Sequence, residues 1–417
     1  MDSIRIQGGV ALEGKVRVQG SKNAVLPILA ATLLTKETSR IMNCPKIHDV
    51  YCMIGLLKSL GVCARWEKNG IRLNAQEVHF DGVSAEAVKG MRSSLCLLGA
   101  LIGRCGEVIM EYPGGCVIGE RPIDMHINAL GKMGVEFALE GDLLKASARS
   151  LHGADIVLPF PSVGTTENII LAAVTAEGMT VVEGAAREPE VVALCEYLNL
   201  CGAAIEGAGT PRIVIRGTGL LYGADYRVPA DRIVAGTYMF ATVASGGYVF
   251  LEEAPSAHMQ SVIRTALQMG ALVWEAEDGV FIQAPEKLLP VELISTGPYP
   301  CFPTDMQSQA LAVLTKAEGK SRIVENIFEN RFRILEPLER MGARIVQQNA
   351  RCVDIYGVEK LQGVTMEAKE LRGGAALVIA ALAADGESIL TGCSYIYRGY
   401  ENICKDLREL GARVISV

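Results

Sequence analysis

Histidine is scarce in this chain of 417 residues. The five present form no HExxH arrangement, which argues against a catalytic zinc site of that kind. Paired cysteines are missing too. The twelve cysteines are scattered, with no CxxC and none of the dense spacing of a secreted disulfide scaffold, so a reducing cytoplasm is the expected compartment. There is no excess of positive charge: 40 Lys and Arg stand against 47 Asp and Glu, a net charge of −7. That balance disfavours generic nucleic-acid binding, and any anion must be met by a few locally gathered cations. Half of the residues are hydrophobic, yet charge or glycine breaks each apolar run before the roughly 20 residues that span a bilayer. The N-terminus, MDSIRIQGGVALEGKVRVQG, alternates like strands and lacks a basic region followed by an apolar one. A cytoplasmic protein without membrane attachment is expected, with two or three domains and ample core.

What the sequence does contain is self-similarity. A closing phrase recurs: LGVCARW from Leu60, MGVEF from Met133, CGAAIEG from Cys201, MGALVWE from Met269, MGARIVQ from Met341 and LGARVIS from Leu410, at intervals of roughly 70 residues. Each follows an amphipathic stretch such as HDVYCMIGLLKSL or YENICKDLREL, so each copy is read as a helix, a glycine cap and a strand. A second set recurs with the same period: SKNAVLPILAATLL from Ser21, MRSSLCLLGALIGR from Met91, SVGTTENIILAAVTAEG from Ser162, DRIVAGTYMFATVASGG from Asp231, TDMQSQALAVLTKAEG from Thr304 and LRGGAALVIAALAADG from Leu371. Beyond the first turn these are apolar on nearly every face, the mark of a helix inside a domain.

Six such units divide most simply into two globules of three. Polar residues gather at the first turns of the buried helices: Lys22 and Asn23, Arg92, Ser162 and Thr165, Arg232, Asp305, and Arg372. Free N–H groups and the helix dipole already attract anions to such a terminus, so the two globules are expected to face each other across an anion-binding cleft. Between two of the buried helices runs EYPGGCVIGERPIDMH, from Glu111 to His126. Its glycines and prolines mark an exposed turn, so the Cys116 thiol is presented to solvent where most cysteines are packed.

These phrases, with AAREPE, FPTDMQ, FENRF and RGYENI, run essentially end to end, and together they resemble the UDP-N-acetylglucosamine 1-carboxyvinyltransferase family of enolpyruvyl transferases. The resemblance implies an α/β fold of two domains, an inside-out α/β barrel built from six repeated units of roughly 70 residues. It places the first domain at residues 22–230, with the Cys116 loop, and the second at 1–21 plus 231–417, with the active site between them. It implies transfer of the enolpyruvyl group of phosphoenolpyruvate to the 3′-hydroxyl of UDP-N-acetylglucosamine with release of phosphate. That is the first committed step of peptidoglycan synthesis, and thus a part in cell-wall biogenesis, cell shape and cell division. No cofactor or metal is implied, and no obligatory protein partner.

By the same resemblance Cys116 is the acid that protonates the methylene carbon or assists product release, and the residue alkylated by fosfomycin; a thiol beside cations titrates near working pH. Asp305 is the base for the sugar hydroxyl. Its phrase also fits a capping box, Thr304 with Gln307. Lys22, Arg121 and Arg398 match the phosphate ligands, and Arg331 and Arg372 the carboxylate side, a use that suits a guanidinium fork. Arg92 is carried over as their neighbour. Asn23, Glu188 and Ile327 orient the sugar nucleotide. Ser162, Val163 and Gly164 hold its diphosphate and uracil, and Arg121, Pro122, Ile123 and Asp124 line the uracil. The Gly114 to Gly119 loop is expected to close as a lid.

Four positions depart from the family pattern: Glu370 in place of aspartate, Tyr397 in place of aspartate, Val234 in place of glutamate, and Phe160 or Pro161 where some members carry lysine. Two rival readings remain open on the sequence: a divergent paralogue acting on another acceptor, and a catalytically silent protein that binds a nucleotide sugar.

Overall fold

The computed structural model describes residues 3–78, 95–112, 119, 122–219 and 221–417. Arg92, Cys116 and Arg121 lie outside the described residues. In every copy of the recurring phrase the glycine is left-handed, with φ of 93° at Gly61, 94° at Gly134, 92° at Gly202, 91° at Gly270, 98° at Gly342 and 87° at Gly411. A side chain is strained in that conformation, so glycine stops the helix before it and turns the chain into a strand. The helices so ended are His48–Ser59, Asp124–Lys132, Pro189–Leu200, Gln260–Gln268, Leu335–Arg340 and Ile403–Glu409. The strands that follow, Cys63–Glu67, Glu136–Glu140, Ala204–Glu206, Leu272–Ala276, Arg344–Asn349 and Arg413–Ser416, each form the edge of a sheet.

The chain forms two compact units. One holds the strands up to Gln19 and everything from Ala230 to Val417; the other holds the described residues of 20–112 and 122–229. Each contains three of the six sheets found among the described residues. Five of the six have one plan: an edge strand paired in parallel to a central strand, then two antiparallel strands. Burial alternates along them, as in Gly70–Asn74 and Ser3–Gln7, so one face meets a core and the other meets water.

The cores are helical. In the first unit Arg232–Ser245, Gln307–Leu314 and Leu371–Ala383 pack on one another. Arg232–Ser245 is buried from Arg232 through Ala244, and Leu371–Ala383 from Arg372 to its end. In the second unit Leu97–Cys105 lies against both Lys22–Ala31 and Val163–Ala173. With helices inside and sheets outside, this is the inside-out α/β fold expected from the sequence.

The first unit closes through the start of the chain. Strand Leu12–Arg17 pairs in parallel with Gly247–Glu252, and Ser3–Gln7 lies between Glu387–Thr391 and Arg413–Ser416. The second unit closes on itself, because Asp225–Arg227 pairs with Thr38–Met42.

Close approach of the central helices depends on Gly99. A methyl group there would lie 2.2 Å from the main-chain oxygen of Asn168, whose side-chain Oδ1 accepts a hydrogen bond from the Gly99 N–H at 2.7 Å. That bond satisfies one of the free amides in the first turn of Leu97–Cys105. The residue before Asn168, Glu167, is buried, and burial, with Glu190 and Glu188 adding, holds its carboxyl well above the usual carboxylate range. It is therefore neutral in the folded protein at pH values where the unfolded chain carries its charge.

Two outcomes follow. Gly99→Ala is expected to lower the unfolding free energy by about 1–3 kcal/mol, since overpacking exceeds the gain of about 1 kcal/mol in helix propensity; an unchanged urea midpoint contradicts this packing. For Glu167 the folded-state pKa is raised, so its contribution is complete below the unfolded value of about 4.5 and is lost as pH rises towards the folded value. The stability of Glu167→Gln minus that of wild type should therefore grow from pH 5 to pH 8, at up to about 1.4 kcal/mol per pH unit. A flat difference in urea unfolding across that range would show that Glu167 is ionised in the fold.

Candidate active site

In the first unit Asp305 occupies the single turn Thr304–Met306 that leads into the buried helix Gln307–Leu314. One carboxylate oxygen, Oδ1, receives Arg331 Nη2 at 2.5 Å, and the other, Oδ2, receives Arg372 Nη2 at 2.9 Å. The arginine side chains are 2% and 4% exposed and that of Asp305 is 27% exposed, so the cations fix the carboxylate from behind and leave it an open edge. Burial works against the Arg372 charge, yet Asp305, with Tyr400 and Asp231 adding, offsets it and raises the guanidinium pKa above its ordinary value. The remaining terminal nitrogen, Nη1, is buried without a hydrogen-bond partner among the described residues.

Arg331 is aimed by three contacts. Its Nε donates to the Thr304 carbonyl at 3.3 Å, its guanidinium stands 5.5 Å from the centre of the Phe328 ring, and Nη1 is 3.9 Å from Glu370 Oε2. Glu370, one of the departures, is the N-cap of Leu371–Ala383 and accepts from the amides of Arg372, at 2.7 Å, and Gly373. The longer side chain thus still caps the helix that carries Arg372. Ile327 is half-buried in the same segment, and Arg398 ends the turn Cys393–Arg398 next to the buried Tyr400. Tyr397 is half-buried, and burial raises its phenol pKa; Val234 sits in the core.

One local expectation is corrected. Thr304 and Gln307 form no capping box: the Thr304 hydroxyl donates to Glu325 Oε2 at 3.0 Å, and no side chain caps Gln307–Leu314. A fully buried carboxylate is the stronger acceptor and takes the hydroxyl.

In the second unit Lys22 opens the helix Lys22–Ala31, capped by Ser21, whose hydroxyl accepts from the Ala24 amide at 3.3 Å. Its ammonium lies 2.7 Å from Oδ2 of the buried Asp49, in the first turn of His48–Ser59. Asn23 is half-buried beside it, and Glu188 stands half-buried as the N-cap of Pro189–Leu200. Ser162 caps Val163–Ala173: its Oγ accepts from the Thr165 amide at 3.3 Å and from the Thr165 hydroxyl at 2.9 Å. The same hydroxyl lies 3.3 Å from His126 Nδ1, so a buried imidazole braces the turn of Ser162, Val163 and Gly164. Pro122 and Asp124 are exposed. Ile123 is 1% exposed and packs in the core, so its side chain anchors that segment.

Sequence reasoning missed Asp49 and Glu325. The signal for Asp49 was its place on an apolar stripe, with Met53, Leu56 and Leu57 on the same buried face. For Glu325 it was the register of a strand, since Ser321 and Ile323 point inward and Glu325 continues that alternation.

The sequence model of the family described as EPSP synthase (3-phosphoshikimate 1-carboxyvinyltransferase) matches residues 6–407. The chain is 42% identical over 417 residues to UDP-N-acetylglucosamine 1-carboxyvinyltransferase 2 of Caldanaerobacter subterraneus, covering 100% of both proteins. It is 42% identical over 419 residues to UDP-N-acetylglucosamine 1-carboxyvinyltransferase 1 of Halalkalibacterium halodurans, covering 100% of the chain and 95% of that relative. Among solved structures, the enolpyruvyl transferase NikO from Streptomyces tendae superposes with a TM-score of 0.89 at 25% identity, over 99% of this chain and 98% of that one. EPSP synthase from Acinetobacter baumannii superposes with a TM-score of 0.75 at 19% identity, over 100% and 99%, a likeness of fold alone. With a family match over nearly its whole length and two full-length relatives at this identity, the chain belongs to the enolpyruvyl (1-carboxyvinyl) transferase family.

Proposed function

We infer that this protein transfers the enolpyruvyl group of phosphoenolpyruvate to the 3′-hydroxyl of UDP-N-acetylglucosamine, releasing phosphate, in peptidoglycan synthesis. The carrying observation is the 42% identity, end to end, to enzymes whose name specifies that acceptor. The geometry fits an anionic donor and a hydroxyl nucleophile. Arg331 and Arg372 meet the carboxylate of phosphoenolpyruvate, which suits their guanidinium forks. Lys22, steered by Asp49, meets the phosphate together with Arg121 and Arg398; Arg92 adds to the same positive field.

The open edge of Asp305 takes the proton of the sugar hydroxyl as its oxygen bonds to C2 of phosphoenolpyruvate. At the same time C3 gains a proton, supplied by Cys116. The tetrahedral adduct then loses phosphate from C2 and a proton from C3, which restores the double bond as an enol ether. A carboxylate between two guanidiniums is a weak base, so its proton transfer must be concerted with carbon–oxygen bond formation. Asn23, Glu188, Ile327 and the turn Ser162, Val163, Gly164 orient the sugar nucleotide, and Pro122 and Asp124 flank its uracil. The two sets of residues thus serve one pair of substrates.

Purified protein given both substrates should release phosphate and yield a nucleotide product heavier by one enolpyruvyl group. Cys116→Ala should lose that turnover or confine it to low pH, and Asp305→Asn should lower kcat by about 10²–10⁴. Binding of the nucleotide without phosphate release would instead favour a silent sugar-nucleotide receptor. Asp49→Asn keeps the shape but removes the charge that aims Lys22. It should raise KM for phosphoenolpyruvate by about tenfold or more, with nucleotide affinity by calorimetry held within about threefold. Equal weakening of both substrates would deny Lys22 its phosphate role.

A further inference from the structure

We propose that Glu325, which is fully buried, is the positioning residue that sets the distance between Asp305 and Arg331. The proposal rests on the function inferred above, in which those two groups meet the sugar hydroxyl and phosphoenolpyruvate.

Glu325 directly follows strand Lys320–Val324, and its amide donates to the Arg351 carbonyl at 2.8 Å, so its main chain is fixed to the sheet. It is 0% exposed. Its two oxygens serve two different segments. Oε2 accepts from the Thr304 hydroxyl at 3.0 Å, which ties down the residue next to Asp305. Oε1 accepts from the amides of Ile327, at 2.8 Å, and Phe328, at 3.0 Å, which folds the segment leading to Arg331. That segment then returns to the start: Arg331 Nε donates to the Thr304 carbonyl, and its guanidinium stands over Phe328. Glu325, Thr304, Asp305, Arg331 and Phe328 thus form a closed ring of contacts, in which Glu325 bonds to both segments through its two oxygens. Asn326 pins the outer side, its Nδ2 donating to Ser295 Oγ and to the Thr296 carbonyl, both at 2.9 Å.

Burying a carboxylate is costly unless its lone pairs are used, and hydrogen bonds to a charged acceptor are about twice as strong as neutral ones. Three such bonds make this ring stiff where reacting groups must hold to within about 0.5 Å.

The test uses Glu325→Ala, Glu325→Gln and Thr304→Val in the full chain. Nucleotide binding stoichiometry counts the folded protein, and Thr304→Val, which cuts only the Asp305 side of the ring, serves if Glu325→Ala fails to fold. Glutamine can place its oxygen on the two amides and its NH₂ on the Thr304 hydroxyl, which accepts as well as donates, so the ring survives without the charge.

Expected are a fall in kcat per folded molecule of about tenfold to a hundredfold in Glu325→Ala, recovery of most of that loss in Glu325→Gln, and an intermediate value in Thr304→Val. Affinity for UDP-N-acetylglucosamine should fall by much less than kcat, because that substrate's contacts at Asn23, Glu188 and the Ser162 turn are untouched. In a crystal structure of Glu325→Ala, or of Thr304→Val in its place, the Arg331 to Asp305 contact should lengthen by about 0.5 Å or more. An unchanged contact, or a kcat per folded molecule equal to wild type in Glu325→Ala, overturns the proposal; so does a Glu325→Gln variant as impaired as the alanine. The wild-type rate with these substrates tests the function inferred above, whereas the crystallographic distance tests the positioning whether or not that rate is found.

Discussion

The helices at the centre of each unit have little side to give to water, and the basic groups Lys22, Arg232 and Arg372 all sit at their first turns. That one constraint places most of the chemistry. Arg372 follows a capping carboxylate, Lys22 a capping serine, and Thr165 a second capping serine, each where an apolar helix begins. The sheets around them hold the cores closed on the outside, and their edge strands begin at glycines no other residue replaces without strain.

Charge is then arranged by pairing each exposed or half-exposed functional group with a buried one. Lys22 is steered by Asp49, and Asp305 by Arg331 and Arg372, so that in both units the steering partner is the more buried of the two. The fixed field this creates costs no reorganisation when charge moves, which is a main way a protein lowers a barrier. Glu370 shows how far such a scheme tolerates change. With one methylene more than aspartate it still reaches the amides of Arg372 and Gly373, because an extended backbone at φ −162° sets it far enough back.

Much of this was legible in the sequence, and for physical reasons. Periodicity and glycine placement gave away the two classes of helix, since a buried helix and an amphipathic one differ in composition round the barrel of the helix itself. Lys22, Asp305, Arg331 and Arg372 lay inside phrases that are hard to mistake. The residues that hold them did not. Asp49 and Glu325 are ordinary acidic residues until their register is followed inward, and local pattern reads such residues as solvated ends. The Thr304 capping box failed for a related reason: a helix-start motif describes only its own turn, whereas the hydroxyl was claimed by a carboxylate 21 residues away in sequence. Ile123 was carried over with its neighbours, although its own apolar side chain belongs to the core.

The closure of the two units differs in kind. The unit ending at Pro229 pairs Asp225–Arg227 with Thr38–Met42, so all its strands have left the ribosome once the chain is a little over half made. The other unit holds its first strand, Ser3–Gln7, between Glu387–Thr391 and Arg413–Ser416. Its N-terminal strand must therefore wait unpaired through nearly the whole of translation, a long-range closure that is slow and leaves an apolar edge uncovered meanwhile. Vectorial synthesis thus imposes an order on the molecule: the unit that holds Lys22 matures first, and the unit that carries Asp305 is completed only when strand Arg413–Ser416 is made.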